Sequence, residues 1–155
     1  MAACALPFAA AIARALSGRI TLLRVLEPRR GPGPGRQIDA LEWGIIRAEA
    51  HSHLAKFESE LKASGVASAL ELVQGRPAEQ ILQFASEHEV HLIVLSSHGE
   101  GGLSGWVLSS TAQKVVARAR TSVLIVPAYA HEGKRIGELR LDKILVPLDC
   151  SPRAE

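Results

Sequence analysis

Short β-rich apolar runs alternate with segments of helical period along almost the whole chain, and this alternation restricts the fold more than any other feature. Leu6, Ala9, Ala13 and Leu16 recur at helical spacing, predicting a helix over 1–17 that ends at Gly18. Ile20, Leu22, Leu23, Val25 and Leu26 make a buried-type strand. After PRRGPGPG at 28–35, which cannot hold regular structure, a long helix is expected over 39–64. Its apolar face should carry Leu41, Ile45, Ala48, Leu54, Phe57 and Leu61, with Asp39 as N-cap and Gly65 as C-cap. A strand over 69–73 follows, then a helix over 78–88 with Pro77 at its start. A strand over 91–96, a Gly/Ser loop, a helix over 110–119 and a strand over 122–127 complete the series. Strands spaced this way need crossover connections, so the sheet should be parallel, with helices on both faces.

Composition narrows the function classes. At 155 residues the chain suits one domain with a sizeable core. Its 47% hydrophobic and 22% charged content is ordinary for a globular chain. The net charge is +2 and Lys/Arg runs stop at two residues, which offers nothing to nucleic acid or an anionic membrane. Cys4 and Cys150 form neither a disulfide framework nor a metal set, and reduced cytosolic thiols are the expectation. The apolar start, 1–13, lacks a basic n-region and reads as a helix face rather than an export signal.

The chemistry concentrates between His91 and Pro127. Gly99, Gly101 and Gly102 can turn backbone N–H groups toward an anion, and Ser109, Ser110 and Thr111 head a helix whose dipole favours phosphate. The simpler alternative is that Ser109 or Ser110 is only an N-cap and the glycines only shape a turn. His98 has no nucleophile or acid to work with. His51 and His53, two apart on a helix, face different ways and make a poor metal pair. Trp43 and Trp106 read as packing residues.

Beyond a polar linker at 128–142, the run 143–149 (KILVPLD) reads as one more buried strand, and Ser151-Pro152 as the start of a further helix. Asp149 closes that strand, where open α/β sheets bind ligands; an Asx-type turn is the competing reading.

Taken together, these segments resemble the universal stress protein family over nearly the whole chain. The family typically opens with a strand and turn like ILVPLDCSP at 144–152, continues with a helix carrying ALPF as at 5–8, and closes with a segment like 91–127. Its nucleotide-binding branch carries G-x2-G-x9-G-[ST], which falls here on Ser96, Gly99, Ser109 and Ser110. The spacing is intact, but serine replaces two of the three glycines.

The resemblance implies a doubly wound, five-stranded parallel α/β sheet of the adenine-nucleotide alpha-hydrolase-like type, order 3-2-1-4-5. The domain would be 1–127 and the linker 128–142, with 143–155 supplying the central first strand and its turn, from this copy or another. Ala154-Glu155 falls in the same register as Ala2-Ala3, so the chain spans about one repeat, as a piece of a tandem protein or a circular permutation would. The linker can reach about 45 Å at 3.3 Å per residue. By resemblance, Asp149 would contact ribose or phosphate-bound magnesium, and Val25 would meet adenine. Val123 and Ile125, on the last strand, would form a homodimer edge.

The leading expectation is a cytoplasmic stress-response module that binds ATP or a related adenine nucleotide weakly, with magnesium, and is not an enzyme beyond slow incidental hydrolysis. A nucleotide-free dimeric interaction module with a degenerate phosphate loop is the alternative. An enzyme of the wider fold group is a third reading, by fold analogy alone.

Overall fold

A computed structural model describes residues 2–27, 39–97, 108–127, 136–139 and 142–143. A 3₁₀ turn at Ala2–Ala5 leads into α1 (Leu6–Ala15), β1 (Ile20–Leu26), α2 (Ala40–Ala63) and β2 (Ser68–Gln74). Then come α3 (Pro77–Glu87), β3 (Leu92–Ser96), α4 (Ser110–Arg118) and β4 (Ser122–Val126). Every expected strand and helix within the described residues is present. The expected loop at 28–35 and the expected strand at 143–149, apart from Lys143, lie outside them.

The helix starts and stops follow from local chemistry. Asp39 accepts a hydrogen bond from the Leu41 N–H at 3.2 Å and caps α2. Gly65, at φ +78°, ends it in the left-handed conformation glycine takes most easily. The first helix differs from expectation. It opens as a 3₁₀ turn before Pro7, and its left-handed closing residue is Ser17 (φ 51°), not Gly18. The Gly18 N–H then closes on the Ala13 carbonyl at 2.7 Å.

The strands are parallel and pair in two hydrogen-bonded sets. β1 pairs with β2, Ile20 opposite Ser68 and Val25 opposite Val73. β3 pairs with β4, Leu92 opposite Ser122 and Ser96 opposite Val126. Among the described residues no ladder joins β1 to β3. Two apolar cores match the two sets. Ala10 and Ala13 of α1 and Leu61 of α2 pack with Val66, Ile20 and Leu22 over β1. Ala78 of α3 and Val115 of α4 pack with Ile93, Leu95 and Val123 over β3–β4. α3 also packs against β1, so it serves both halves.

One expectation about the core needs correction. Leu54 and Leu61 of α2 are buried as read from the sequence, but Leu41 is 72% exposed, Ile45 is 52% exposed, and Ala48 is also exposed. Length explains this. The 24 residues of α2 span about 36 Å, whereas the seven residues of β2 cover about 23 Å. The helix therefore overshoots the sheet by about 13 Å, or roughly nine residues. Its apolar periodicity continues past the length that β2 can cover. Among the described residues no helix is long and apolar enough to cross a membrane.

Candidate functional site

The described part of the sequence-predicted site gathers where β3 hands over to α4. The Ser97 N–H donates to the Val126 carbonyl at 2.9 Å, extending the β3–β4 ladder by one step. The Ser97 carbonyl then accepts from the Ser109 N–H at 2.8 Å, which fixes the start of α4 against the end of β3. Ser109 Oγ accepts from the Ala112 N–H at 3.2 Å, and the Ser109 carbonyl accepts from the Gln113 N–H at 2.9 Å. Gln113 Nε2 donates to the Leu108 carbonyl at 2.9 Å and closes the approach to the helix. Ser109 is thus a true N-cap.

Its backbone sits at φ −57°, ψ 153°, an extended conformation open to any residue. Serine at this position therefore carries no backbone strain. What it changes is the donor supply, because its hydroxyl takes one first-turn N–H. The N–H groups of Ser110 and Thr111 lie in the same first turn, where no intrahelical acceptor exists.

The electrostatics favour an anion. α4 has no acidic residue in its first turn, whereas α2 has Glu42 and α3 has Glu79. The positive end of the α4 dipole, equivalent to about half an elementary charge, is left without a neutralising carboxylate on its own helix.

Ser96, Ser109, Ser110 and Thr111 are brought together here. Val25 lies near the carboxyl end of β1, half-buried, in the other hydrogen-bonded set. Gly99, Gly101, Gly102, His98, Trp106 and Asp149 fall outside the described residues. Ser97 was not singled out from the sequence, although it is 7% exposed and links β4, β3 and α4. The available signal was its position immediately after a strand, where backbone groups turn out of the ladder.

Elsewhere the chemistry is quieter. His53 packs edge-on against Phe57, with ring centres 5.0 Å apart, and His51 is exposed. Among the described residues no group of three His, Cys, Asp or Glu side chains could hold a metal. Burial pushes the Cys4 thiol above its usual range, which keeps it protonated at neutral pH. An open groove of about 460 Å³ between α2 and β2 is lined by residues including Arg47, His51, Leu70 and Glu71, and by none of the predicted site residues.

A crossover parallel sheet whose third strand feeds a serine-capped helix invites comparison with known proteins. The model of the universal stress protein family matches residues 2–127. The chain belongs to the universal stress protein family.

A universal stress protein of Methanocaldococcus jannaschii is 32% identical over 82 residues, covering 53% of this chain and 48% of that protein. The chain thus spans about half the length of the curated relatives it matches. A universal stress protein structure from Archaeoglobus fulgidus in complex with dAMP is 25% identical, with a TM-score of 0.58 over 78% of this chain and 83% of that one. A universal stress protein structure in complex with cAMP, 23% identical, shares the fold at a TM-score of 0.59 over 79% of this chain and 84% of that one.

Proposed function

We propose that this universal stress protein domain is a stress-response regulatory module that binds ATP or a related adenine nucleotide weakly at the β3–α4 junction. The observation carrying this reading is the α4 start: a hydroxyl-capped helix without a first-turn acid, tied by Ser97 to the carboxyl end of β3. The dAMP bound by the Archaeoglobus relative supports the same ligand class. In this reading Ser110 and Thr111 give backbone and hydroxyl donors to phosphate, Ser96 and Gly99 with Gly101 and Gly102 line its approach, and Val25 lies under adenine. Asp149 holds ribose or a phosphate-bound magnesium ion.

The sheet becomes five-stranded in the order 3-2-1-4-5, with the C-terminal segment as its first strand. β4, which pairs with β3 alone among the described residues, meets its copy in a cytoplasmic homodimer through Val123 and Ile125. The module acts by binding, and hydrolysis is incidental.

One observation favours a second reading, a nucleotide-free dimeric interaction module. Ser109 Oγ already occupies the Ala112 N–H that a glycine would have left for phosphate.

Titrating ATP with magnesium while following the melting temperature separates the two. A ligand that binds only the folded state adds about 2.7 kcal/mol at 100 times its dissociation constant. A rising, saturating melting temperature supports nucleotide binding. No shift at millimolar ATP supports the second reading.

A further inference from the structure

The edge of β2 turned away from β1 carries hydrogen-bonding groups that the register identifies. Just outside the two ends of β2, the Ala67 carbonyl accepts from the Ile20 N–H at 2.9 Å, and the Gly75 N–H donates to the Leu26 carbonyl at 3.0 Å. In a parallel ladder alternate residues bond to a given neighbour, so Ala69, Glu71 and Val73 also turn their N–H and C=O groups to β1. Ser68, Leu70, Leu72 and Gln74 therefore turn theirs outward, where no ladder is formed among the described residues.

The groove of about 460 Å³ between α2 and β2 follows this edge, because it touches Leu70, Glu71 and Leu72 in succession and successive side chains point to opposite faces. Leu70 and Leu72 lie opposite Leu22 and Arg24 of β1. Leu22 packs with Leu61 of α2, so this is the α2 face, and Glu71 is on the other. The roof is Gly44, Arg47, Ala48 and His51, one stripe of α2 at i, i+3, i+4 and i+7. A Cβ at Gly44 would meet nothing within 4 Å, which leaves room for a chain. α2 packs chiefly on β2. A helix is about 10 Å across, so it reaches about 5 Å past β2, the distance at which an added strand would lie.

The charges in the groove are unanswered. Arg47, His51 and Glu71 are exposed, and Arg47 and Glu71 make no ion pair with each other or with any other described residue. We propose that this edge takes an extended peptide of a partner protein as an added strand, with acidic side chains at alternate positions facing Arg47 and His51 and a basic side chain between them facing Glu71. Main-chain bonds to Leu70 and Leu72 hold the peptide, and the alternating charges select it. A second copy answers the charges less well. Two copies paired at this edge would run antiparallel about a two-fold normal to the sheet, with both α2 helices on one face. Each β2 then brings only Ser68, Leu70, Leu72 and Gln74 to that face, and no acid for Arg47. The inference does not rest on nucleotide binding.

Amide chemical shifts of the full chain, titrated with the blocked peptide Thr-Val-Asp-Lys-Asp-Val, test it. Saturable shifts are expected at Arg47, His51, Leu70 and Leu72, with Ser109 and Ser110 unmoved. Leu72→Pro removes an outward N–H, leaves the β1 ladder intact, and should weaken binding at least ~10-fold. Arg47→Glu should weaken it at least ~10-fold as well, and serves alone if the proline variant unfolds. In the free chain the Leu70 and Leu72 amides should exchange at least ~10-fold faster than those of Ala69, Glu71 and Val73. A peptide that moves none of the groove amides would overturn the proposal, and binding unchanged in Arg47→Glu would overturn the acidic partner. Equal protection of all five β2 amides would also overturn it, assigning the edge to a second copy if the protection fades on dilution and to the chain itself if it persists.

Discussion

In the β1–β2 half, α2 starts on an aspartate cap with Glu42 in its first turn; in the β3–β4 half, α4 starts on a serine cap with no acid there. Both caps satisfy a first-turn N–H, so both stabilise their helices by the same means. They differ in what they leave to a ligand. The carboxylates on α2 neutralise the positive helix end, while α4 keeps it. The halves differ equally in packing: α2 is longer than β2 and opens on exposed leucine and isoleucine, whereas Ser97 ties the start of α4 to the end of β3. Two units with the same strand–helix–strand plan thus differ in the charge at the helix start, and under the proposed function that difference selects the α4 end for phosphate.

The strongest way to break this comparison is through the cores. Leu61 is fully buried in the first half, so Leu61→Ala should cost about 2–5 kcal/mol in urea unfolding. If a strand joins the halves, the loss appears in β3–β4 amide exchange as well as in β1–β2. Loss confined to β1–β2 would make the halves independent.

A smaller effect should come from Thr121, whose hydroxyl lies 2.8 Å from the Val90 and His91 carbonyls and latches β4 to the start of β3. Thr121→Val should cost about 1 kcal/mol in the same unfolding measurement.

The caps offer a sharper contrast. Ser109→Ala should cost about 1 kcal/mol and Ser109→Gly only a few tenths. Ser109→Asp should keep the cap and the stability but abolish the melting shift produced by ATP, because the carboxylate puts negative charge where phosphate would lie. Asp39→Ser should leave that shift unchanged. The smallest effect is expected on the overhang, where Leu41→Ser or Ile45→Ser should change stability by no more than about 0.5 kcal/mol in urea unfolding.

The strand and helix succession was legible because apolar period and turn chemistry are local. Asp39 and Gly65 announce the ends of α2 by residue type alone. Three features were not legible, each for a physical reason. The exposure of Leu41 and Ile45 depends on how far the sheet extends beneath the helix, a tertiary length that helical period does not carry. Ser97 acts through backbone N–H and C=O groups, which every residue type except proline shares. Ile136 and Leu139 are two apolar residues three apart in a polar stretch, too few to register as an element, yet Ile136 packs into the core of α1 and α2 and Leu139 is buried. In the candidate site, the spacing from Ser96 to Ser110 pointed to the β3–α4 junction, which is where these residues lie. The backbone angle at Ser109 was needed to show that serine fits there without strain, and its hydrogen bond showed which donor it withdraws.

The most direct test of nucleotide binding at the β3–α4 junction is an ATP–magnesium titration followed by amide chemical shifts of the full chain. The account predicts saturable shifts centred on Ser97, Ser109, Ser110 and Thr111, with the first turn of α2 unmoved. Millimolar ATP that moves none of these amides, or moves only those lining the α2–β2 groove, would contradict it.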